Sequence, residues 1–431
     1  MAKALRCLML TAWLGFFIFT QLATGMLLAK PLEDGQWHLH AKANSPTLID
    51  FSQSYQAGQL AVSKQSHHIY EPPVQERWAN GLIRPFVFDK TFYNQSVPFL
   101  YVICIPFGCL PYSQAYVVWC LTWEVLCLCL LGLFLHRQGR LKGANRLLFL
   151  SGVMASIPAY LCVWHGQTTF LLLACFTLFT LFLMEGKNLL AALSFALTTF
   201  KPQYALLFAS GLLGARAYKV LLFSALFEVC LMALAALFIG FENIFGYPQV
   251  LLHAEGTEKF IGVNPNYMAS VRGLLSVILP HKTAMMATIA MLLACLLPWC
   301  WLARKLQLSP GSFDSEKGRW YLALTFVAAL ILSPHTHYFD CLLLAVPAAL
   351  TLPSLNLMTI WASGADNTDL DNLIWYRLWC TILISYPLVS WPINFNFVSS
   401  RELEGICFLV LNSVLLLSGC FTLQRVATVK G

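Results

Sequence analysis

Apolar segments long enough to cross a bilayer recur along this chain of 431 residues and constrain its fold more than any other feature. A membrane-spanning helix needs about 20 predominantly apolar residues. Hydrophobic residues make up 58% of the chain and charged residues only 11%, whereas a soluble domain carries about 25% charged residues. The sequence therefore predicts an all-α, multi-pass transmembrane protein, and its net charge of +7 does not indicate a nucleic-acid partner.

The predicted segments form one integral membrane domain over residues 1–431 with three parts. After an uncleaved apolar helix at 5–29, a long first outer loop covers 30–111 and contains an interfacial segment at 96–109. Core helices follow in 112–358, and C-terminal helices in 359–431. The predicted spans are 112–135, 147–164, 167–184, 219–240, 283–303, 320–333, 340–358, 374–392 and 404–423.

The apolar run 188–214 is interrupted by Lys201, Pro202 and Gln203. With a cytoplasmic N-terminus, all basic clusters lie in the cytoplasm only if this run crosses the membrane an even number of times. Two arms of about 13 residues, each about 20 Å long, satisfy this condition and form a short helical hairpin. About twelve membrane segments and two cytoplasmic termini result. The clusters are Arg137/Arg140/Lys142/Arg146, Arg216/Lys219, Arg304/Lys305, Lys317/Arg319 and Arg425/Lys430.

Polar residues that are unusual in such a chain collect at the predicted outer ends of the helices. Ionisable groups that converge at membrane depth indicate a functional site. The members are Asp50, the turn HGQTT (165–169) with His165 and Gln167, the hairpin tip with Lys201 and Gln203, NPNY (264–267) with Arg272, and SPHTHYFD (333–340) with His335 and His337.

Each of these residues also has a structural interpretation that the sequence leaves open. Asp50 is a typical helix N-cap, and Lys201 is able to extend its ammonium to the lipid headgroups. Arg272 is a typical interfacial anchor. His165 and Gln167 fit a turn that caps two helices.

Transfer of a sugar from a lipid-linked phosphate suits this set of side chains. Lys201, Arg272 and the histidines offer donors to a phosphate that gains negative charge as the sugar leaves. The acceptor hydroxyl needs a base, and Asp50 is the first candidate. Asp34 and Asp89 are the alternatives.

Metal and cofactor chemistry have little support in the sequence. His335 and His337 have the spacing H-x-H but lack an evident third ligand. The 15 cysteines are scattered through apolar segments without CxxC pairs. We therefore expect no metal and no cofactor.

Several segments resemble glycosyltransferase family 87, whose members are integral membrane enzymes of the GT-C fold. The resemblance covers about residues 48–350 and weakens beyond them. It implies an inverting transfer of a sugar, typically mannose, from a polyprenyl-phosphate donor. The similar segments are LIDFSQSYQAG (48–58), VPFLYVICIPFGCLP (97–111), HGQTTFLLL (165–173), EGKNLLAALSFALTTFKPQYALL (185–207), SVRGLL (270–275) and LSPHTHYF (332–339).

The same resemblance implies roles for individual residues. Asp50 falls at the position of the family's catalytic aspartate, and Lys201, Gln167 and His335 fall at positions that contact phosphate or sugar. The implied partners are a polyprenyl-phosphate sugar donor, a glycolipid or glycan acceptor and membrane lipids. The implied location is a bacterial inner membrane with the site facing the periplasm.

Three other functions remain open at this point. A transporter or lipid-linked glycan flippase also places polar residues within the membrane, although two similar halves are expected there. A polysaccharide polymerase or ligase uses pyrophosphate carriers and has its large loop late in the chain. An inactive relative that acts as a membrane partner is the third possibility.

Overall fold

The structure is a computed structural model in which helices form nearly all of the regular secondary structure. The helices are α1 (Phe17–Met26), α2 (Phe51–Ala61), α3 (Pro72–Leu82), α4 (Pro98–Gly108), α5 (Tyr112–Gln138), α6 (Ala144–Met154), α7 (Ile157–His165), α8 (Thr169–Met184), α9 (Asn188–Thr198), α10 (Pro202–Gly214), α11 (Tyr218–Ile239), α12 (Phe241–Leu251), α13 (Val271–Ile278), α14 (His281–Lys305), α15 (Glu316–Leu332), α16 (Ala345–Thr351), α17 (Leu370–Asn394) and α18 (Arg401–Thr428). Two 3₁₀ helices lie at Ser66–His68 and Tyr338–Leu344.

The structure describes residues 11, 14–15, 17–26, 28–29, 40–42, 45–47, 50–82, 91–139, 141–251, 260–261, 268–352, 370–394 and 401–428. Short strands are the exceptions to the all-α prediction. The strands β1 (His40–Lys42) and β2 (Ser45–Thr47) pair antiparallel, and β3 (Thr91–Phe92) pairs in parallel with β4 (Phe260–Ile261).

Long apolar helices identify the chain as an integral membrane protein, but about twelve spans are not confirmed. Among the described residues, four helices are long and apolar enough to cross a membrane, or five if one bent pair is counted as a span. Several predicted segments form helices shorter than the roughly 20 residues that the hydrocarbon layer requires. The four are Tyr112–Gln138, Tyr218–Ile239, His281–Lys305 and Gly405–Thr428.

The bent pair corresponds to the predicted span 147–164, which is not one straight helix. Helices α6 and α7 meet at an angle of 53°. Ser156 caps α7 by accepting a hydrogen bond from the Ala159 amide, and Pro158 occupies the first turn. Because proline lacks an amide hydrogen and clashes with the preceding turn, it favours a kink or a break in the helix at this point.

The chain reverses direction at Lys201, as the two-arm prediction requires. Helix α9 runs beside α11 in the same direction, because Ser224 donates to the Ala192 carbonyl and Thr199 donates to Glu228. Helix α10 ends only four residues before α11 begins, so α10 must return toward the start of α11. Glu228 lies ten residues into α11, or about 15 Å from its start. The turn after α9 therefore lies well inside the length of α11.

Basic residues gather at the end of the bundle opposite to this turn. Arg137 at the end of α5 lies 3.7 Å from Glu185 at the end of α8. A side chain at Gly214 would contact Cys300 and Ala303, so α10 and α14 end together. We call this end, which also carries Arg216, Lys219, Arg304 and Lys305, the basic end.

Helix α2 is fixed against α4 by close backbone contact. A Cβ atom at Gly58 would lie 2.2 Å from the carbonyl oxygen of Cys104, and one at Gly108 would lie 2.5 Å from the Gln59 amide nitrogen. Glycine is therefore required at both positions of the crossing. The crossing sets the position of the residue just before α2, which is Asp50.

Aromatic packing holds α8, α10 and α15 together beneath the turn. Phe176, Phe208 and Phe326 are buried, with ring centroids 4.7–5.2 Å apart. Offset and edge-to-face aromatic pairs of this kind stabilise a core beyond the area that they bury. The residues that precede or follow these helices are thereby held in fixed positions.

Candidate functional site

The Asp50 side chain points to the turn between α7 and α8. Gln167 donates a hydrogen bond from its amide to Asp50 Oδ2, and His165 Nδ1 lies 3.9 Å from the same oxygen. The Asp50 side chain makes no capping bond to α2 and is 35% exposed. The N-cap interpretation of its side chain is therefore wrong. The interpretation of His165 and Gln167 as mere turn residues does not account for these contacts.

Gly166 allows this turn to approach Asp50. Its φ of +63° lies in the left-handed region, and a Cβ atom there would lie 2.5 Å from Cβ of Phe51. Trp119 donates from its indole nitrogen to the Gly166 carbonyl at 2.9 Å. Only glycine combines this conformation with this contact at low cost. This requirement explains the glycine in the HGQ sequence.

Lys201 lies at the hairpin tip and forms a buried ion pair with Asp340. Its Nζ is 2.6 Å from Asp340 Oδ1, and the exposed side-chain fractions are 14% for Lys201 and 0% for Asp340. Nζ also lies 3.4 Å from Thr169 Oγ1 and 5.6 Å from the centroid of the Phe339 ring. The extension of Lys201 to lipid headgroups is therefore wrong, and its countercharge was not identified from the sequence.

Asp340 ends the predicted SPHTHYFD segment, but no role was predicted for it from the sequence. The notable signal is one carboxylate in the otherwise apolar segment YFDCLLLAVPAAL, 338–350. We instead assigned 340–358 to a membrane span, whereas Tyr338–Leu344 is a 3₁₀ helix with Asp340 in its first turn. Isolated carboxylates within apolar segments are costly and are retained where they have a partner.

The SPHTHYFD turn lies beside the hairpin tip and the start of α13. Gln203 donates from its amide to the His335 carbonyl at 3.4 Å, and Arg272 donates to the Pro334 carbonyl at 3.0 Å. The Ala269 amide donates to the Thr336 carbonyl at 2.8 Å. Arg272 is 2% exposed, so it is not an ordinary interfacial anchor.

Phe339 connects the two carboxylate environments. Its ring stacks on His337 at 5.1 Å between centroids and lies 6.3 Å from the His165 ring. The His335 ring lies 4.9 Å from the His337 ring. The side chains around Asp50 and those around Lys201 therefore belong to one site.

Electrostatics keep His335 neutral near pH 7. Burial, the neighbouring His337 and the Lys201 ammonium lower its pKa well below the ordinary value, Asp340 opposes this change, and Arg272 adds to it. A neutral imidazole is able to donate one hydrogen bond and accept another. His335 therefore suits a polar ligand as a donor without adding a charge.

Some predicted residues cannot be located. Asp34, Asp89 and NPNY (264–267) lie outside the described residues. Within the described part of the chain, no three His, Cys, Asp or Glu side chains form a group that could hold a metal ion.

Comparison with known proteins agrees with the resemblance seen in the sequence. The model of glycosyltransferase family 87 matches residues 97–334, which is more than half of the chain. No curated protein matches the chain. The match includes His165, Gln167, Lys201 and Arg272, whereas Asp50 lies outside it. The chain belongs to glycosyltransferase family 87 and is a membrane-bound glycosyltransferase.

Proposed function

We propose that this protein transfers a sugar, with mannose as the first candidate, from a polyprenyl-phosphate donor to an acceptor hydroxyl. The observation that carries the proposal is the partly exposed Asp50 carboxylate at one site with the Lys201 ammonium and the buried Arg272 guanidinium. Both described contacts of Asp50 fall on Oδ2, so Oδ1 is the oxygen available to accept a proton. The proposed arrangement is a GT-C-like single membrane domain that spans residues 1–431.

In the proposed reaction, Asp50 takes the proton of the acceptor hydroxyl as that oxygen attacks the anomeric carbon. The new carbon–oxygen bond forms as the bond from the anomeric carbon to the phosphate oxygen breaks, and attack from the opposite face inverts the configuration. Polyprenyl phosphate leaves with one more negative charge than the phosphate had in the donor. Fixed donors and cations stabilise this charge as it develops.

The residues near the leaving phosphate supply complementary chemistry. Arg272 and Lys201 are cations, and His335 is a neutral donor. Gln167 fixes the base, and Gln203, His165 and His337 complete the polar lining. The acceptor in this proposal is a glycolipid or glycan.

Orientation follows from the position of the basic end. Lys and Arg residues near membrane ends favour the cytoplasmic side, and the site lies at the opposite end of the bundle. We therefore place the site on the outer face, and we propose a bacterial inner membrane as the location because the resemblance to glycosyltransferase family 87 implies it. A donor anchored by its lipid tail reaches that face without a nucleotide sugar.

A donor panel tests the proposal. Purified protein is incubated with radiolabelled polyprenyl-phosphate sugars and membrane-lipid acceptors, followed by extraction and analysis of the configuration at the anomeric carbon. We expect label to move from one donor with inversion, and mannose is expected first. Translocation of intact donor across sealed vesicles without transfer would support the alternative of a transporter or flippase instead.

A further inference from the structure

Asp340 accepts hydrogen bonds from four donors that lie on three stretches of the chain. Its Oδ1 accepts from Lys201 Nζ at 2.6 Å and from Thr169 Oγ1 at 2.7 Å. Its Oδ2 accepts from the Tyr204 hydroxyl at 2.9 Å and from the His337 amide at 3.2 Å. The carboxylate thus joins the start of α8, the hairpin tip with the start of α10, and the 333–337 turn.

These contacts leave Asp340 unsuited to act as a base. A carboxylate has about four lone-pair sites, and the four donors occupy them. The side chain is also 0% exposed, so no acceptor hydroxyl reaches it. Asp340 is therefore able to affect the reaction only through a residue that it contacts.

Lys201 is the partner that still has capacity for a ligand. An ammonium has three donors, and among the described residues Asp340 and Thr169 occupy two of them. Lys201 also keeps 14% exposure while Asp340 has none. A lysine side chain is long and flexible, so a fixed carboxylate is what sets the position of its ammonium.

We propose that Asp340 is a positioning residue that holds the Lys201 ammonium in place for the phosphate of the lipid-linked donor. This inference depends on the proposed function. Thr169 and Tyr204 in turn hold the carboxylate, and Tyr204 also lies 3.0 Å from Thr336 Oγ1. Asp340 brings the HGQTT, KPQ and SPHTHYF segments together, because each segment supplies one of its hydrogen-bond donors.

A purely structural role is the alternative, and it makes different predictions. Replacing a buried ion pair by uncharged residues is often neutral for stability, whereas removing one partner is costly. If the pair serves stability alone, removing both charges restores the protein fully. If the pair serves the donor, removing both charges restores stability but not donor binding.

The test uses full-length Asp340→Asn, Lys201→Met and the double variant. The measurements are Tm in detergent, kcat and KM for the sugar donor, and binding of a tritiated short-chain polyprenyl phosphate. Asp340→Asn is expected to weaken polyprenyl-phosphate binding and to raise KM, each by about ten-fold, as for loss of a charge-assisted contact. The double variant is expected to regain Tm while its binding stays as weak as in Lys201→Met. Glu124→Gln, an isosteric change at another buried acid, is the control and keeps normal binding.

Two results would overturn the inference. One is wild-type binding and KM in Asp340→Asn. The other is a double variant that regains both Tm and polyprenyl-phosphate binding, which would make the pair structural only. If the wild-type protein transfers no sugar, the proposed function fails by itself, and the binding and Tm measurements still decide the role of Asp340.

Discussion

Asp50 and Asp340 are two carboxylates at one site, and their surroundings differ in nearly every respect. Asp50 is 35% exposed, and its described contacts use one oxygen. Asp340 is fully buried and uses both oxygens, with four donors around them. Gln167 and Thr169 of the same turn contact one carboxylate each.

The difference shows that an acid at membrane depth is not by itself a base. A general base needs access to the substrate and a free lone pair, which the surroundings of Asp50 provide. A carboxylate saturated by donors instead fixes the groups that surround it. In the proposed function, the same turn therefore serves one acid that reacts and one that holds the neighbouring cation.

The largest effect on rate is expected from Asp50→Asn. The change removes the base but little volume, so kcat should fall by about 10²- to 10⁴-fold. Steady-state transfer and Tm are the measurements, with Tm close to the wild-type value. A large fall in Tm in Asp50→Asn would mean that Asp50, like Asp340, stabilises the fold.

The largest effect on stability is expected from Asp340→Leu. Loss of one member of a buried ion pair leaves Lys201 uncompensated, which costs about 3–5 kcal/mol. Asp50→Leu is the matched change at the other acid and should cost less than about 1 kcal/mol. Denaturant or thermal unfolding in detergent compares the stability of the two variants. Equal losses of stability would contradict the difference between Asp50 and Asp340.

A smaller effect on rate is expected from Gln167→Leu. A hydrogen bond to a charged group contributes about 1.5–3 kcal/mol, so a misplaced Asp50 should lower kcat by roughly ten-fold or more. Gln59→Leu is the control, because Gln59 donates to the Tyr55 hydroxyl. Equal rates in both variants would mean that Gln167 does not orient the base.

The smallest effect is expected from His335→Gln and concerns pH. Burial and the nearby His337, Lys201 and Arg272 lower the pKa of His335, with Asp340 opposing them. The unfolded chain therefore binds a proton below a pH of about 6.5 that the folded protein does not bind. Stability should fall as pH drops below that value, and the variant should show a shallower fall in Tm. An identical dependence of Tm on pH in the variant and in the wild type would exclude a contribution from His335.

Local features of the site could be predicted from the sequence because local chemistry determines them. A lysine and a proline inside an apolar run indicated the reversal at Lys201, and the helices end and begin there. Glycine followed by glutamine marked the turn at Gly166, whose left-handed φ requires glycine. In the structure, Gln167 beside the turn at Gly166 contacts Asp50, and Gln203 beside the reversal at Lys201 contacts the His335 carbonyl.

Features that depend on long-range packing could not be predicted. The partner of Lys201 lies 139 residues away at Asp340, and no local pattern joins them. The predicted count of about twelve spans is not confirmed among the described residues, because apolar composition does not distinguish a crossing helix from a short helix packed among others. The bend between α6 and α7 was missed although Pro158 marks it.

The most direct test of the central claim is a single-turnover comparison of wild-type protein and Asp50→Asn, each preloaded with radiolabelled polyprenyl-phosphate sugar. Retained donor and transferred label are measured after the acceptor is added. We predict that the variant holds donor as well as the wild type does and leaves the label on the lipid carrier. Transfer at the wild-type rate by Asp50→Asn would contradict the account.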